Sequence, residues 1–201
     1  MPVILGWLTD LYANMPKTHI DKRPRLVSAA VDLAYQNGFG ATSLADIARE
    51  AKIPLGNVYY YFKTKDEIGE AIVELRLAEL AAQRERWNEA GSPKDRLCAC
   101  VQAVFENKDF LAQFGCAVGT FCSELNKAGG SVATRATDIF AQHLAWIESQ
   151  FRALGKGKDS NGHAVHLLSA MQGVSILAHA FHDSNLVARE TKRLKSWIRS
   201  L

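Results

Sequence analysis

Proline is scarce in this chain, with 5 residues among 201, and no convincing stretch alternates apolar and polar residues as a half-buried strand would. Apolar residues instead recur at three- and four-residue spacing along almost the whole chain. Hydrophobic residues make up 48% and charged residues 22%, which is ordinary for a globular protein and argues against disorder. We therefore predict an all-α protein, with either one large core or a small domain joined to a larger one.

Paired metal-binding motifs are also missing. The four cysteines form no pair of Cys-x-x-Cys units, which argues against a structural zinc site; they are Cys98, Cys100, Cys116 and Cys122. Two histidine pairs have the i, i+3 spacing that can bring two imidazoles to one metal, namely His163/His166 and His179/His182. No acidic third ligand accompanies either pair in the expected place, so we predict no metal site and no cofactor.

The sequence shows none of the common catalytic patterns. It has no Ser/His/Asp set in a nucleophile turn, no phosphate-cradling glycine loop and no paired carboxylates in an apolar setting, so we do not expect an enzyme. It also has no secretory signal pattern, and no apolar run approaches the roughly 20 residues that span a bilayer. We therefore expect a cytoplasmic protein with reduced thiols and no membrane contact.

The positive charge is concentrated near the N-terminus. The whole chain carries +3, but residues 17–65 hold eight basic and four acidic residues, which leaves +4 there and −1 in the remainder. A basic segment beside a nearly neutral one suits an anionic partner at one end of the molecule. Taken alone this is weak evidence, because many basic faces are simply solvated.

Three short helices are predicted in this basic segment. The first runs from Arg23 to Asn37 and is stopped by Gly38. The second begins after Thr42 or Ser43, either of which can cap it, and runs to about Ala51. The third covers Leu55 to Tyr61. Two short helices joined by a tight turn form a helix-turn-helix, whose later helix enters the major groove of DNA.

The later helix carries three consecutive tyrosines in the segment IPLGNVYYYFKTKDE, Ile53 to Glu67. Val58 and Phe62 share the face that should enter the core, while Tyr59, Tyr60 and Tyr61 fan over about 200° of the remaining surface. All three rings cannot be buried. Tyrosine hydroxyls can donate to phosphate oxygens, and their rings can pack on sugar or on a thymine methyl. Chance exposure of two tyrosines is the alternative explanation, and the whole constellation disfavours it.

Three neighbouring residues extend this surface. Gly56 has no side chain and would let the backbone approach DNA closely. Asn57 can read a base edge or cap the helix locally. Lys65 stands at the start of the next helix, beside a dipole end that attracts phosphate.

The segment ATSLADIAREAKIPLGNVYYYFKTKDEI, Ala41 to Ile68, resembles the DNA-binding signature of the TetR family of transcriptional repressors. The family's aromatic pair followed by F-x-x-K-(D/E) is matched by Tyr60, Tyr61, Phe62, Lys65 and Asp66. The first helix and the chain length also fit. Leu55 departs from the pattern, because members often carry a basic or polar residue there, and this leaves the operator sequence open.

The resemblance implies an N-terminal three-helix DNA-binding domain and a C-terminal helical domain for ligand binding and dimerisation, about nine helices in all. We expect an N-terminal extension over 1–16, the DNA-binding domain over 17–66, and the larger domain over 67–201. The family resemblance also implies that the protein binds a nearly palindromic double-stranded DNA operator as a homodimer. The candidate DNA-binding residues are Thr42, Ser43, Leu44, Leu55, Gly56, Asn57, Tyr59, Tyr60, Tyr61 and Lys65. The apolar start MPVILGWLTDLYAN is either a further short helix or precedes a true start at Met15.

Periodicity predicts six further helices. They run from about Lys65 to Glu89, Pro93 to Asn107, Cys116 to Lys127, Ser131 to Leu154, Gly162 to His182, and Asn185 to Leu201. In the family, the last two pair with their copies in a four-helix bundle. The residues that would form this seam are Leu167, Ala170, Met171, Val174, Leu177, Ala178, Phe181, Leu194 and Trp197. The alternative is that these residues face the core of the monomer.

The middle helices should enclose a small-molecule effector. The candidate ligand-binding residues are Trp87, Phe105, Phe114, Phe121, His143 and Gln172, although each is equally suited to the core. Cys116 follows a glycine and opens a predicted helix, whose N-terminus would stabilise a thiolate. A Gly-Cys here resembles a TetR-like subgroup, some members of which sense electrophiles or oxidants. Cys116 is therefore a candidate sensor thiol, and a small buried packing residue is the more ordinary interpretation.

The function most consistent with these features is a sequence-specific DNA-binding repressor, released by a small molecule or by modification of a cysteine. A helical protein-interaction module that no longer binds DNA is the alternative. The tyrosine run and Lys65 argue against that alternative, whereas the departure from the family pattern at Leu55 gives it limited support.

Overall fold

The computed structural model describes residues 21–201, which form ten α-helices and one 3-10 helix, with no strand among those residues. The helices are α1 (Arg23–Asn37), α2 (Leu44–Glu50), α3 (Leu55–Tyr61), α4 (Lys65–Asn88), α5 (Pro93–Glu106), α6 (Lys108–Phe114), α7 (Ala117–Ala128), α8 (Ser131–Ala153), α9 (Ser160–Phe181) and α10 (Ser184–Ser200), and the 3-10 helix Gly157–Asp159 precedes α9. The all-α prediction is confirmed. The predicted extension over 1–16 and the alternative start at Met15 lie outside the described residues.

One helix was not predicted. Helix α6 follows α5 across the single residue Asn107, whose carbonyl oxygen accepts from the Leu111 N–H at 2.8 Å. The sequence predicted the end of α5 at Asn107 but assigned no helix to the residues between Asn107 and Cys116. The backbone changes direction at Asn107, where φ is −98° and ψ is 13°.

The chain divides into two compact units. The first contains residues 21–75 together with Thr120–Ala136, and the second contains Arg76–Gly119 together with Thr137–Leu201. The boundary between the units falls within α4, α7 and α8. The helix-turn-helix lies in the first unit, and residues 67–75 and 120–136 belong to the same unit.

The core of the first unit forms where three short helices bury one face each. Leu26 and Ala30 of α1, Ile47 of α2, and Val58 of α3 are fully buried, and Phe62 directly after α3 is 1% exposed. Apolar residues at three- and four-residue spacing place these side chains on one face of each helix. Helices this short are marginal in isolation, so their packing supplies most of their stability.

The turn between α2 and α3 is tight because its backbone reverses at Lys52, which has a left-handed φ of 54°. The Ile53 N–H donates to the Ala48 carbonyl across this residue at 2.9 Å, which closes the end of α2. Pro54 then precedes α3 and has no N–H to leave unpaired.

The second unit is built around its long helices. Its largest fully buried side chains come from α5, α8, α9 and α10, and they include Leu97, Val101, Ile147, Phe151, Leu167 and Ile198. Most of the predicted dimer seam belongs to this core, because Leu167, Met171, Val174, Ala178 and Leu194 are buried within the single chain. Of the predicted seam residues, Leu177 and Phe181 are exposed, while Ala170 and Trp197 are partly exposed.

The segment Gly157–Phe181 is long and apolar enough to cross a membrane by length and composition alone, which we did not expect from the sequence. The core helix of a soluble protein passes the same test. Here one side of α9 fills the core, and the other presents Val165, Ile176, Leu177 and Phe181 to solvent.

Candidate nucleic-acid interface

Helix α3 presents a strongly aromatic surface. Val58 and Phe62 anchor it to the core, and the opposite side leaves Tyr59 46% exposed and Tyr60 77% exposed. The ring of Tyr61 is partly exposed and meets that of Tyr60 edge-on, with 5.1 Å between the centroids. The predicted fan of three tyrosines around a buried Val58 face is therefore the arrangement that the structure has.

The start of α3 is open as well. Leu55, Gly56 and Asn57 are all exposed. A side chain at Gly56 would meet nothing within 4 Å, so the protein's own packing does not require a glycine there. The Asn57 N–H donates to the Pro54 carbonyl at 2.8 Å, and no hydrogen bond within residues 21–201 is shown for its exposed side-chain amide. A flat ligand can therefore approach the backbone of this turn closely.

The start of α2 is fixed by a capping box. The Asp46 N–H donates to Ser43 Oγ at 3.2 Å, and the Ser43 N–H donates to Asp46 Oδ2 at 3.1 Å. Hydrogen bonds from the hydroxyl and backbone of Ser43, with a further one from Arg49, hold the pKa of the Asp46 carboxyl below its usual range. Ser43 is exposed and Leu44 is partly exposed.

Thr42, in contrast, does not offer its side chain to a ligand. It is buried, and its hydroxyl donates to the Gly38 carbonyl at 2.9 Å. Of the three candidates around the start of α2, the structure therefore presents the side chains of Ser43 and Leu44 and uses that of Thr42 within the preceding loop.

Two lysines flank the tyrosines. Lys65 Nζ donates to the Gly40 carbonyl at 2.8 Å and lies 4.8 Å from the centroid of the Phe39 ring. Partial burial lowers the pKa of Lys65. An ammonium group has three donors, so two remain for a phosphate. Lys63, which we did not select from the sequence, is exposed and donates to the Tyr59 carbonyl; its position in the Lys-Thr-Lys run was the available signal.

Trp87 and His143 come together in the second unit. Their rings stack with 5.7 Å between centroids and 23° between planes, and Trp146 lies 5.1 Å from Trp87. The thiol of Cys100 contacts His143 Nε2 at 3.4 Å. Burial lowers the pKa of His143 to about 4, so the ring is neutral at pH 7 and can accept a hydrogen bond from the thiol.

The other ligand candidates lie elsewhere. Phe114 packs against Phe110 with 5.2 Å between centroids, and Phe105 is partly buried. Gln172 faces Gly119, where an added Cβ would stand 2.8 Å from its Oε1. Phe121 belongs to the first unit and packs edge-on against Phe39 at 5.3 Å. The six residues therefore do not line one cavity. An open groove of about 280 Å³ in the second unit has other walls, formed by Asp109, Ala112, Gln113, His182 and Ser184.

The four thiols have different environments. Burial raises the pKa of both Cys98 and Cys100. Cys122 is buried and donates to the Ala136 carbonyl at 3.3 Å. Cys116 is partly exposed and accepts from the Gly119 N–H at 3.4 Å, in the first turn of α7. Of these thiols, Cys116 thus combines partial exposure with a backbone hydrogen bond to its sulfur.

Comparison with known proteins agrees with this geometry. Residues 26–72 match the family model of the bacterial regulatory proteins of the tetR family. The chain is 25% identical over 140 residues to the HTH-type transcriptional repressor DhaR of Mycobacterium sp. (strain GP1), covering 69% of this chain and 68% of DhaR. It is 31% identical over 90 residues to the HTH-type transcriptional repressor NemR of Escherichia coli (strain K12), covering 42% of this chain and 44% of NemR, less than half of that relative.

Solved structures share the fold along nearly the whole chain. A TetR transcriptional regulator from Legionella pneumophila has a TM-score of 0.79 at 20% identity, covering 91% of this chain and 98% of that one. The reduced form of E. coli NemR has a TM-score of 0.68 at 21% identity, covering 88% and 96%. The aromatic helix-turn-helix, the family match over it and the shared fold lead to one conclusion: residues 26–72 form a DNA-binding domain of the kind found in the tetR family of bacterial regulatory proteins, and the chain has the fold of solved TetR-family regulators.

Proposed function

We propose that this protein is a cytoplasmic transcriptional repressor that reads a nearly palindromic operator as a homodimer and releases it when an effector binds or when Cys116 is modified. The observation that carries the proposal is the outward face of α3, where Tyr60 is 77% exposed on a helix anchored by two almost fully buried residues. Exposing large aromatic rings to water is unfavourable unless a partner covers them.

Each exposed group on α3 has a role that suits DNA. The hydroxyls of Tyr59, Tyr60 and Tyr61 donate to phosphate oxygens, and their rings pack on sugars or thymine methyl groups. Asn57 reads a base edge, Gly56 allows close approach, and the apolar Leu55 packs on a thymine methyl.

The flanking groups hold the backbone of the operator. Ser43 and Leu44 lie at the start of α2, the helix that crosses the DNA backbone in this motif. The two free donors of Lys65 and the exposed ammonium group of Lys63 supply phosphate contacts. These contacts are independent of sequence and should make binding weaken as salt rises.

The exposed apolar side of α9 supplies the dimer contact. Ile176 is 65% exposed and Phe181 is 70% exposed, and with Leu177 they lie along one side of the helix. Pairing this side with its copy, with α10 beside it, removes the rings from water and gives the two-fold symmetry that a palindromic operator needs. Two copies of α3 must then lie about 34–36 Å apart to enter successive major grooves.

Release follows from a shift between two populations of the dimer, one with matched and one with unmatched spacing of its two α3 helices. In the second unit, Trp87, Phe105, Phe114, His143 and Gln172 are the proposed effector contacts. Cys116 is the proposed sensor thiol, supported by its exposure and by the Gly119 N–H aimed at its sulfur. A relative offers a parallel, since the solved NemR structure is described as a reduced form.

The test is fluorescence anisotropy with a labelled duplex that the wild-type protein enriches from a random-sequence pool, at two salt concentrations. We expect sequence-selective binding that weakens as salt rises, with an affinity at least tenfold lower in Tyr60→Ala. Because the wild-type Tyr60 ring is largely exposed, its removal should not unfold the helix. Tyr60→Phe, which keeps the ring, separates the hydroxyl contribution. Failure to enrich any duplex at low salt would overturn the proposal and favour a helical interaction module.

A further inference from the structure

The loop between α1 and α2 is held by residues far away in the sequence. Gly38 has φ 87° and ψ 144°, a region that is essentially restricted to glycine. A Cβ added there would stand 2.8 Å from Glu124 Oε1, so the side chain of Glu124 fills the space that the missing Cβ leaves. Glu124 lies on α7, in the part of that helix that belongs to the first unit.

Glu124 also satisfies a backbone donor of this loop. The Gly40 N–H donates to Glu124 Oε2 at 3.1 Å, across 84 residues of sequence. The Gly40 carbonyl in turn accepts from Lys65 Nζ. The N–H of Gly40 is therefore held by an acidic side chain and its carbonyl by a basic one. Hydrogen bonds to charged groups are stronger than those between neutral groups.

Two further backbone hydrogen bonds hold the loop. The Gly38 N–H donates to the Ala34 carbonyl at 3.0 Å, and the Phe39 carbonyl accepts from the Thr42 N–H at 3.2 Å. Phe39 is buried, and its ring packs edge-on against Phe121, one turn before Glu124 on α7. These contacts tie the loop to α7, which supplies the ring of Phe121 and the carboxylate of Glu124.

What this loop positions is the start of α2. Gly40 lies three residues before Ser43, the N-cap of that helix, and α2 carries α3 through the tight turn at Lys52. We propose that Glu124 is a positioning residue for operator binding: it touches no DNA, and its carboxylate fixes the loop that sets where α2 and α3 stand. This inference rests on the proposed DNA-binding function.

The sign of the effect separates this role from simple electrostatics. A surface carboxylate close to DNA repels phosphate, so removing it should tighten binding if charge is its only contribution. A positioning carboxylate predicts the opposite: Glu124→Ala frees the Gly40 N–H, loosens the loop and weakens binding. Glu124→Gln removes the charge but keeps an oxygen that can accept from Gly40.

The experiment measures affinity for the enriched duplex against salt concentration, with amide exchange at Gly40 as a second readout. We expect Glu124→Ala to bind about tenfold more weakly, and Glu124→Gln to stay within about twofold to threefold of the wild-type affinity. The slope of log affinity against log salt should not change in either variant, because no cation that neutralises a phosphate is removed. The Gly40 amide should exchange faster in Glu124→Ala only.

Glu148→Ala is the matched control, since Glu148 is a partly exposed carboxylate of the second unit that pairs with Arg152 and Asn161. The inference would be overturned if Glu124→Ala bound DNA as tightly as the wild type or more tightly, or if its Gly40 amide exchanged as slowly as in the wild type. The proposed function would stand in either case, provided that the wild type binds the duplex. If the wild type binds no duplex, the proposed function fails, and Gly40 exchange alone still decides whether Glu124 holds the loop.

Discussion

At the scale of single residues, Cys116 differs from the other three thiols in what surrounds its sulfur. We expect iodoacetamide to alkylate Cys116 first, because it is partly exposed and accepts a backbone hydrogen bond, whereas burial raises the pKa of Cys98 and Cys100. Mass spectrometry of peptides after timed alkylation gives the four rates directly.

The matched variant is Cys116→Ser, which should keep DNA binding and lose its sensitivity to the reagent. Faster labelling of Cys98, or release of DNA from alkylated Cys116→Ser, would remove the basis for a sensor at this position.

His143 should make the protein sensitive to acid. Its pKa is lowered from 6.5 to about 4 by burial in the first place and by Arg84 in the second. Between those two values the unfolded chain binds the proton and the folded chain does not, so stability falls as pH decreases through this window. From pH 7 to pH 5 the loss is about 2 kcal/mol in the free energy of unfolding.

Urea unfolding of the wild type and of His143→Gln at both pH values isolates this contribution, because the other histidines act equally in both proteins. The variant should lose less stability than the wild type between pH 7 and pH 5. Parallel pH profiles for the two proteins would show that His143 titrates normally when folded.

At the scale of elements, two helices begin with the same device for different purposes. Ser92 caps α5 with Asp95 as Ser43 caps α2 with Asp46, each through a reciprocal capping box. We expect Ser92→Ala and Ser43→Ala each to cost about 1 kcal/mol of stability, because each leaves helix N–H groups unpaired. Only Ser43→Ala should also weaken operator binding.

Urea unfolding and anisotropy on the same two variants check this pair of expectations. If Ser92→Ala reduced affinity as much as Ser43→Ala did, the effect of Ser43 would be general destabilisation and not a place at the DNA surface.

At the scale of the whole molecule, the proposed function requires two copies of the chain. We expect Phe181→Glu to convert a dimer of twice the 22.2 kDa chain mass into a monomer, because it replaces the most exposed side chain on the apolar side of α9 with a charge. Size-exclusion chromatography with light scattering measures the mass, and anisotropy should show weaker operator binding in the same variant.

Lys192→Glu is the control, since Lys192 is an exposed charged residue of α10 and its replacement keeps a charged surface. A wild-type protein that elutes as a monomer at the concentrations used for DNA binding would contradict the proposed interface, as would a dimer that survives Phe181→Glu.

Much of the fold followed from local signals. Helix α1 ends just before Gly38 and α2 begins after Ser43, as the sequence predicted, because these signals act within one turn of the helix. The end of α5 near Asn107 was predicted, but the short helix α6 that follows it was not. Thr42 was expected at the DNA surface, yet its hydroxyl is used by Gly38, a pairing that depends on how the loop folds back.

The helical class, the helix-turn-helix and the aromatic face of α3 could all be predicted from the sequence, since periodicity and caps are properties of neighbouring residues. The tertiary structure decided which side of α9 faces the core and which faces solvent, and it brought Glu124 to Gly40. The two kinds of information differ in the sequence distance between the residues that interact. An apolar stripe shows that a helix buries one side, but which distant side chain meets it depends on the packing of the entire unit.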